Sequence, residues 1–179
     1  HLGDDHRQTA LSRVYLADAL SDRGRAADLS TALVMLSAEA GDRRDVFGPG
    51  HPLTWTAQLD LARVLLRAAE ADHAGSADYA AEARRLTELL ASATSGRFGA
   101  SHRSALDARI RHAHALILLG EGGAAITEVA YAMAVARRVG AELEPGLAQE
   151  LLARAQAVAG DGRALSTARA ALRLRAGHF

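Results

Sequence analysis

Apolar residues recur along this chain at intervals of three and four, the spacing that gathers side chains onto one face of an α-helix. Leu106, Ile110, Ala113, Leu116 and Ile117 make one such stripe, and Ile126, Val129, Ala130, Met133 and Ala136 make the next. Leu29, Leu33 and Leu36 repeat the pattern earlier in the chain. Sixteen glycines punctuate the text, and each is read as lying at or near a break in the periodicity. Between the breaks lie eight helix-length segments, about 7–23, 26–40, 52–72, 77–94, 103–119, 123–139, 146–159 and 163–176. Most connections are short, so neighbouring helices are expected to form antiparallel hairpins. β-Branched clusters are scarce, and Pro49, Pro52 and Pro145 all stand outside the apolar runs. The class expected is all-α, with seven or eight helices.

Whole stretches of text then return. Leu2-Gly3-Asp4-Asp5-His6 is echoed by Phe47-Gly48-Pro49-Gly50-His51 and by Phe98-Gly99-Ala100-Ser101-His102, with the histidines 45 and 51 residues apart. Each heading is followed by a helix, a break and a second helix. Self-similarity at this period signals stacked helix pairs, none of which can bury its apolar face alone. Four units are expected within a single domain over 1–179, at about 2–46, 47–97, 98–140 and 141–177. The last lacks the heading.

The shared positions have physical reasons. Ala17, Ala62, Ala113 and Ala153 fall where helices should cross, and a small side chain permits close approach. Gly24 and Gly120 should end the first helix of a pair in a left-handed conformation. Pro52 suits the first turn of a helix, where its missing N–H is no loss.

The heading Leu/Phe-Gly-x-x-His-Pro-x-Thr resembles that of tetratricopeptide repeats of the kinesin-light-chain type. His51-Pro52-Leu53-Thr54, followed by Leu61-Ala62 and Leu65, keeps it best. The first unit keeps His6, Thr9, Leu16-Ala17, Leu20 and Gly24; the third keeps His102, Ala113, Leu116, Gly120 and Ala125. Arg7 and Arg103 depart from the pattern at the proline. Extra residues near Ala40–Arg44 and Asp72–Asp78 are expected to lengthen helices or make irregular connections. The resemblance implies a right-handed superhelical stack in which the first helix of each pair lines a concave groove. Carried over position by position, that geometry selects Asp18 and Asp22 in the first unit, and Leu59, Arg63 and Arg67 in the second. It selects Ile110 and His114 in the third, and Glu150 and Arg154 in the fourth. Acids would lie at one end, with Arg63, Arg67 and Arg154 further along to receive a carboxylate. The competing reading is that these arginines pair with acids on neighbouring helices.

Composition narrows the chemistry. Hydrophobic residues are 49% of the 179, but aromatics only 4%, so the core must be packed from small and aliphatic side chains. Twenty-one basic and twenty-one acidic residues cancel, which argues against adhesion to nucleic acid or membrane. Every basic residue is arginine, so lysine chemistry is excluded, and cysteine is absent, so disulfides and thiolates are too. The lack of lysine and asparagine reads as GC-rich coding bias in a bacterial source. No apolar run spans a membrane and no signal peptide opens the chain, so a cytoplasmic location is expected.

His6, His51 and His102 lie a repeat apart, too far to share a metal ion, and are read as junction residues that hydrogen-bond the turn. His112 and His114 point in different directions on one helix. Gly120-Glu121-Gly122-Gly123 and Gly160-Asp161-Gly162 follow helices, so they are turns and not nucleotide-binding loops. Asp4-Asp5, Glu142 and Glu144 are read as helix-start acids. The function expected is non-catalytic and cofactor-free: a protein- or peptide-binding module of a larger actinobacterial-type regulator. The alternative is a small-molecule sensor domain. The opening inside a repeat heading points to a fragment of a longer protein, whose exposed first helix, with Leu11, Tyr15 and Leu20, would favour self-association.

Overall fold

The computed structural model describes residues 7–71, 75–141, 143 and 146–176, with side chains from residue 12 onward. Heading residues 2–6, the Leu11 side chain, Asp72, Glu142, Glu144 and Pro145 lie outside this description. The described residues form eight α-helices: α1 Arg7–Arg23, α2 Ala26–Phe47, α3 Pro52–Glu70, α4 Ser76–Phe98, α5 Arg103–Leu118, α6 Gly122–Val139, α7 Leu147–Val158 and α8 Ala164–Ala176. No strand occurs among them. The chain divides into two compact units, residues 1–86 and 87–179, and the division falls inside α4.

Two helices outrun their expected ends. α2 runs past 40 to Phe47, so the extra residues near Ala40–Arg44 lengthen the helix, one of the two outcomes expected there, and α4 runs past 94 to Phe98. Gly41 and Gly96, read as breaks, are helical. A helical glycine costs only about 1 kcal/mol relative to alanine, so tertiary context overrides it. Around Gly41 the buried Glu39 and the half-buried Arg43 pair at 2.6 Å on one helix face.

In the first unit the core is Ala17 of α1, Leu29, Ala32 and Leu36 of α2, and Val64 of α3, with Val14, Leu20, Leu33 and Leu61 packed round it. In the second, α5, α6 and α7 share Leu106, Ile110, Ala113, Leu116, Ala125, Val129, Ala132, Leu151 and Ala155. Ala17, Ala62, Ala113 and Ala153 are all buried, as a close helix crossing requires.

The glycine punctuation works through the backbone. At the α5–α6 turn Gly120 has φ 80°, its N–H donates to the Ile117 carbonyl at 3.1 Å, and the Glu121 N–H donates to Leu116 at 2.8 Å. This is the Schellman arrangement, which satisfies carbonyls a helix end would otherwise leave open. The α7–α8 turn repeats it: Gly160 has φ 70°, and Gly160 and Asp161 donate to Ala157 and Gln156 at 3.1 and 2.8 Å. Gly122 serves another purpose. A Cβ there would lie 2.6 Å from the Ala155 carbonyl oxygen and 2.6 Å from the Ala159 amide nitrogen, so only glycine lets α6 start against the end of α7.

Candidate functional site

The recurring histidines cap helices. His51 precedes α3 and His102 precedes α5, and in each the Nδ1 accepts from the backbone N–H two residues on, Leu53 or Ser104, at 3.2 Å. Their rings stack on Phe47 and Phe98, with centroids 4.9 and 4.6 Å apart. The intervening Gly48 and Gly99 have φ 85° and 92°, reachable at little cost only without a side chain. The heading is thus a chain-reversing device, as expected for these two; His6 lies outside the described residues. The first-turn proline expectation also holds, since Pro52 opens α3. Thr54 adds a bond unforeseen from sequence: its buried hydroxyl donates to the Gly48 and Arg43 carbonyls at 2.8 and 3.1 Å.

The nine candidate groove residues separate into two sets, one per unit. In the first unit Arg63 of α3 donates to Asp18 of α1, and Arg67 donates to Asp22. Arg63 and Arg67 are therefore not left open along a face to receive an outside carboxylate; they are matched with acids on a neighbouring helix, which is the competing reading. The cause is register. Asp18 and Arg63 each follow the crossing alanine of their helix, Ala17 and Ala62, so adjacent repeats bring them together. Asp22 and Arg67 repeat the match one turn later. Both pairs are 45 residues apart, the same interval that separates His6 from His51, and that coincidence was the sequence signal for the pairing. Arg63 also approaches Asp60 at 3.8 Å. Leu59, the remaining member, is buried.

The second unit uses the same positions with different chemistry. His114 follows Ala113 and Arg154 follows Ala153, and Arg154 Nη1 lies 3.4 Å from His114 Nε2. Since guanidinium only donates, that imidazole nitrogen is the acceptor. Both side chains are half-buried. Ile110 lies one turn before His114 and is buried, and Glu150 lies one turn before Arg154 and pairs with Arg175 of α8 at 2.6 Å. His112 does point elsewhere, to the Thr87 hydroxyl at 3.3 Å. A further polar cluster carried no signal in the sequence. Arg109 of α5 donates to Glu128 of α6 at 2.7 Å and lies over the Tyr131 ring, 4.4 Å from its centroid.

Neither a scan of protein-family models nor a search of curated proteins returns a match to this chain. Among solved structures, it is similar to a single-substitution variant of the nearly identical TPR-like repeats of a Podosopora anserina protein named as a kinesin light chain candidate. The identity is 17%, the TM-score 0.50, and 99% of each chain is covered. The fold is tetratricopeptide-like. The repeats of that Podosopora anserina protein without the substitution align at 18% identity and a TM-score of 0.44, over 94% of this chain and 97% of that one. In these tetratricopeptide-like repeats the first helices are α1, α3, α5 and α7, and all nine candidate residues lie on them. Among the described residues no group of three or more His, Cys, Asp or Glu side chains could hold a metal, and no helix is long and apolar enough to cross a membrane.

Proposed function

We propose that the chain is a non-catalytic, cofactor-free module that binds a protein or peptide segment on its first-helix faces. A cytoplasmic place in a bacterial source belongs to the same reading and rests on composition, and a role within a larger regulator rests on the kinesin-light-chain-type resemblance alone. One observation carries it: the residue after the crossing alanine meets its counterpart on the adjacent first helix in both units. Polar groups from two helices are thereby held on one face beside buried leucine or isoleucine. Such a face offers hydrogen-bonding groups seated over an apolar floor, a combination that recognition of a chain segment uses.

The two units divide the work. In the first, Asp18 and Asp22 answer Arg63 and Arg67 from within the chain, and that matched set holds α1 and α3 in register. In the second, His114 and Arg154, with Ile110 and Glu150 one turn away, form the surface that reads a partner. A carboxylate of the partner suits the planar guanidinium fork of Arg154.

Selection from a displayed peptide library, followed by titration of the selected peptide, tests this. Selected peptides should carry a carboxylate, at a side chain or at the C-terminus, beside an apolar residue. Arg154→Ala should weaken binding about tenfold, as loss of roughly 1.4 kcal/mol implies. Arg85→Ala, at an exposed position on a second helix, should not. Selection of basic peptides, or equal affinity in the Arg154 variant, contradicts the reading.

A further inference from the structure

We infer that Arg175 of α8 is a positioning residue for the partner site: it holds Glu150 of α7, so that Arg154 turns to His114 and to the partner's carboxylate instead of to Glu150. This role presupposes that Arg154 receives such a carboxylate, as proposed for this face. Comparison of the helix pairs shows that the fold does not require the charges. In α1 and α2, Val14 stands three residues before Ala17 and Leu36 four after Ala32, and both pack in the first-unit core. In α5 and α6, Ile110 stands three before Ala113 and Ala136 four after Ala132, and both are in the second core. Counted alike from Ala153 of α7 and the buried Ala171 of α8, the residues are Glu150 and Arg175. Arg175 Nη2 lies 2.6 Å from Glu150 Oε2, with the two side chains 47% and 37% exposed. An ion pair so open to water adds little stability, and an apolar contact serves elsewhere.

The charges have a use within α7. Glu150 and Arg154 are four residues apart with the acid first, the arrangement in which a carboxylate and a guanidinium on one helix readily join. This chain makes that join twice, between Asp107 and Arg111 at 3.1 Å and between Glu39 and Arg43 at 2.6 Å. Glu150 is engaged by Arg175 instead, and Arg154 reaches His114. The Arg175 side chain is seated for the task. Its stem crosses Gly146, where a Cβ would lie 2.7 Å from Arg175 Cγ and 3.3 Å from its Nε. Gly146 has φ 80° and no side chain, so the guanidinium comes down on the first turn of α7, where Glu150 stands. Without Arg175, Glu150 would compete for Arg154 and set a negative charge against the partner's carboxylate. Both effects weaken binding.

Titration of the selected carboxylate peptide against four variants, each with parental helical content by circular dichroism, tests this role. Arg175→Ala should weaken binding about threefold, and Glu150→Gln should tighten it about twofold, as half-exposed charges allow. The double variant should regain at least the parental affinity. Arg173→Ala, which removes the same charge from an exposed position on α8, should change nothing. If the ion pair only fastens α8 to α7, both single variants lose affinity together, and that result overturns the inference. So does a double variant as weak as Arg175→Ala, or an equal loss in Arg173→Ala. NMR of the peptide-free protein adds a reading that needs no ligand. The Arg154 Nε–H resonance should shift in Arg175→Ala and return in the double variant, and an unmoved resonance overturns the inference whatever the peptide does. Parental affinity in Arg154→Ala overturns the peptide reading instead, so the two failures are told apart.

Discussion

The turn between α5 and α6 and the turn between α7 and α8 are built alike and live in different surroundings. Both end a first helix with a left-handed glycine and the same pair of backbone bonds. Beyond that pair they diverge. Gly122 is buried against the backbone of α7, while Gly162 is exposed. Leu116, three residues after Ala113, is core; Gln156, three residues after Ala153, is equally buried but its Oε1 has no hydrogen-bond partner. Local backbone chemistry therefore makes the turn, and the neighbouring repeat decides which side chains it tolerates.

Alanine in place of the two glycines separates these causes most sharply. Gly122→Ala must push α6 from α7 and should cost about 1–3 kcal/mol, the range of overpacking in a filled core. Gly162→Ala should be neutral or stabilise by a few tenths, because it only restricts the unfolded chain. Urea denaturation of both variants reads the difference, and equal midpoints would show that the two turns do not differ as described.

Exchanging Leu116 and Gln156, three residues after the crossing alanines, should give a pair of opposite effects. Gln156→Leu removes an unsatisfied buried acceptor and should stabilise by about 1 kcal/mol, whereas Leu116→Gln should destabilise by about 1–3 kcal/mol. A loss of stability in Gln156→Leu would mean that the amide has a role the geometry does not display.

The entrances to the helices differ as well. His102 caps α5 through its side chain, but α7 follows Gly146 with no side-chain cap. His102→Ala should cost about 1 kcal/mol, the usual worth of a cap, and His102→Asp should recover most of it. Thermal unfolding of the three proteins checks the order.

Smallest is the effect at Asp161, which only the α7–α8 turn possesses. The Arg163 side chain and then its backbone N–H hold the Asp161 carboxyl down from 3.8 to about 2. A depressed carboxylate contributes stability that is present above its ordinary value and is lost as pH falls through about 2. In Arg163→Ala the carboxyl midpoint, followed by NMR, should move up toward 3.8. An unchanged midpoint would leave the backbone N–H as the whole cause.

Periodicity and punctuation placed eight helices and most of their ends, because an amphipathic stripe and a left-handed glycine are local features. Gly41 and Gly96 misled, since a lone glycine breaks a helix only where packing does not hold it. The candidate residues were legible as positions, through the crossing alanines, but not as partners. Whether Arg63 meets Asp18 or an outside carboxylate depends on which first helices adjoin, and that is a property of the stack. The shared interval of 45 residues held the answer for Asp18 and Asp22. Nothing comparable announced Arg109, Glu128 and Tyr131, whose association depends on the rotation of α5 against α6.

The claim that a partner segment is read by first-helix faces is tested most directly by amide hydrogen exchange with and without a selected peptide at saturation. Protection should rise along α5 and α7 around His114 and Arg154, and α6 and α8 should change little on their outer faces. A footprint confined to the second helices, or one centred on the Phe47 and Phe98 headings, would contradict the account.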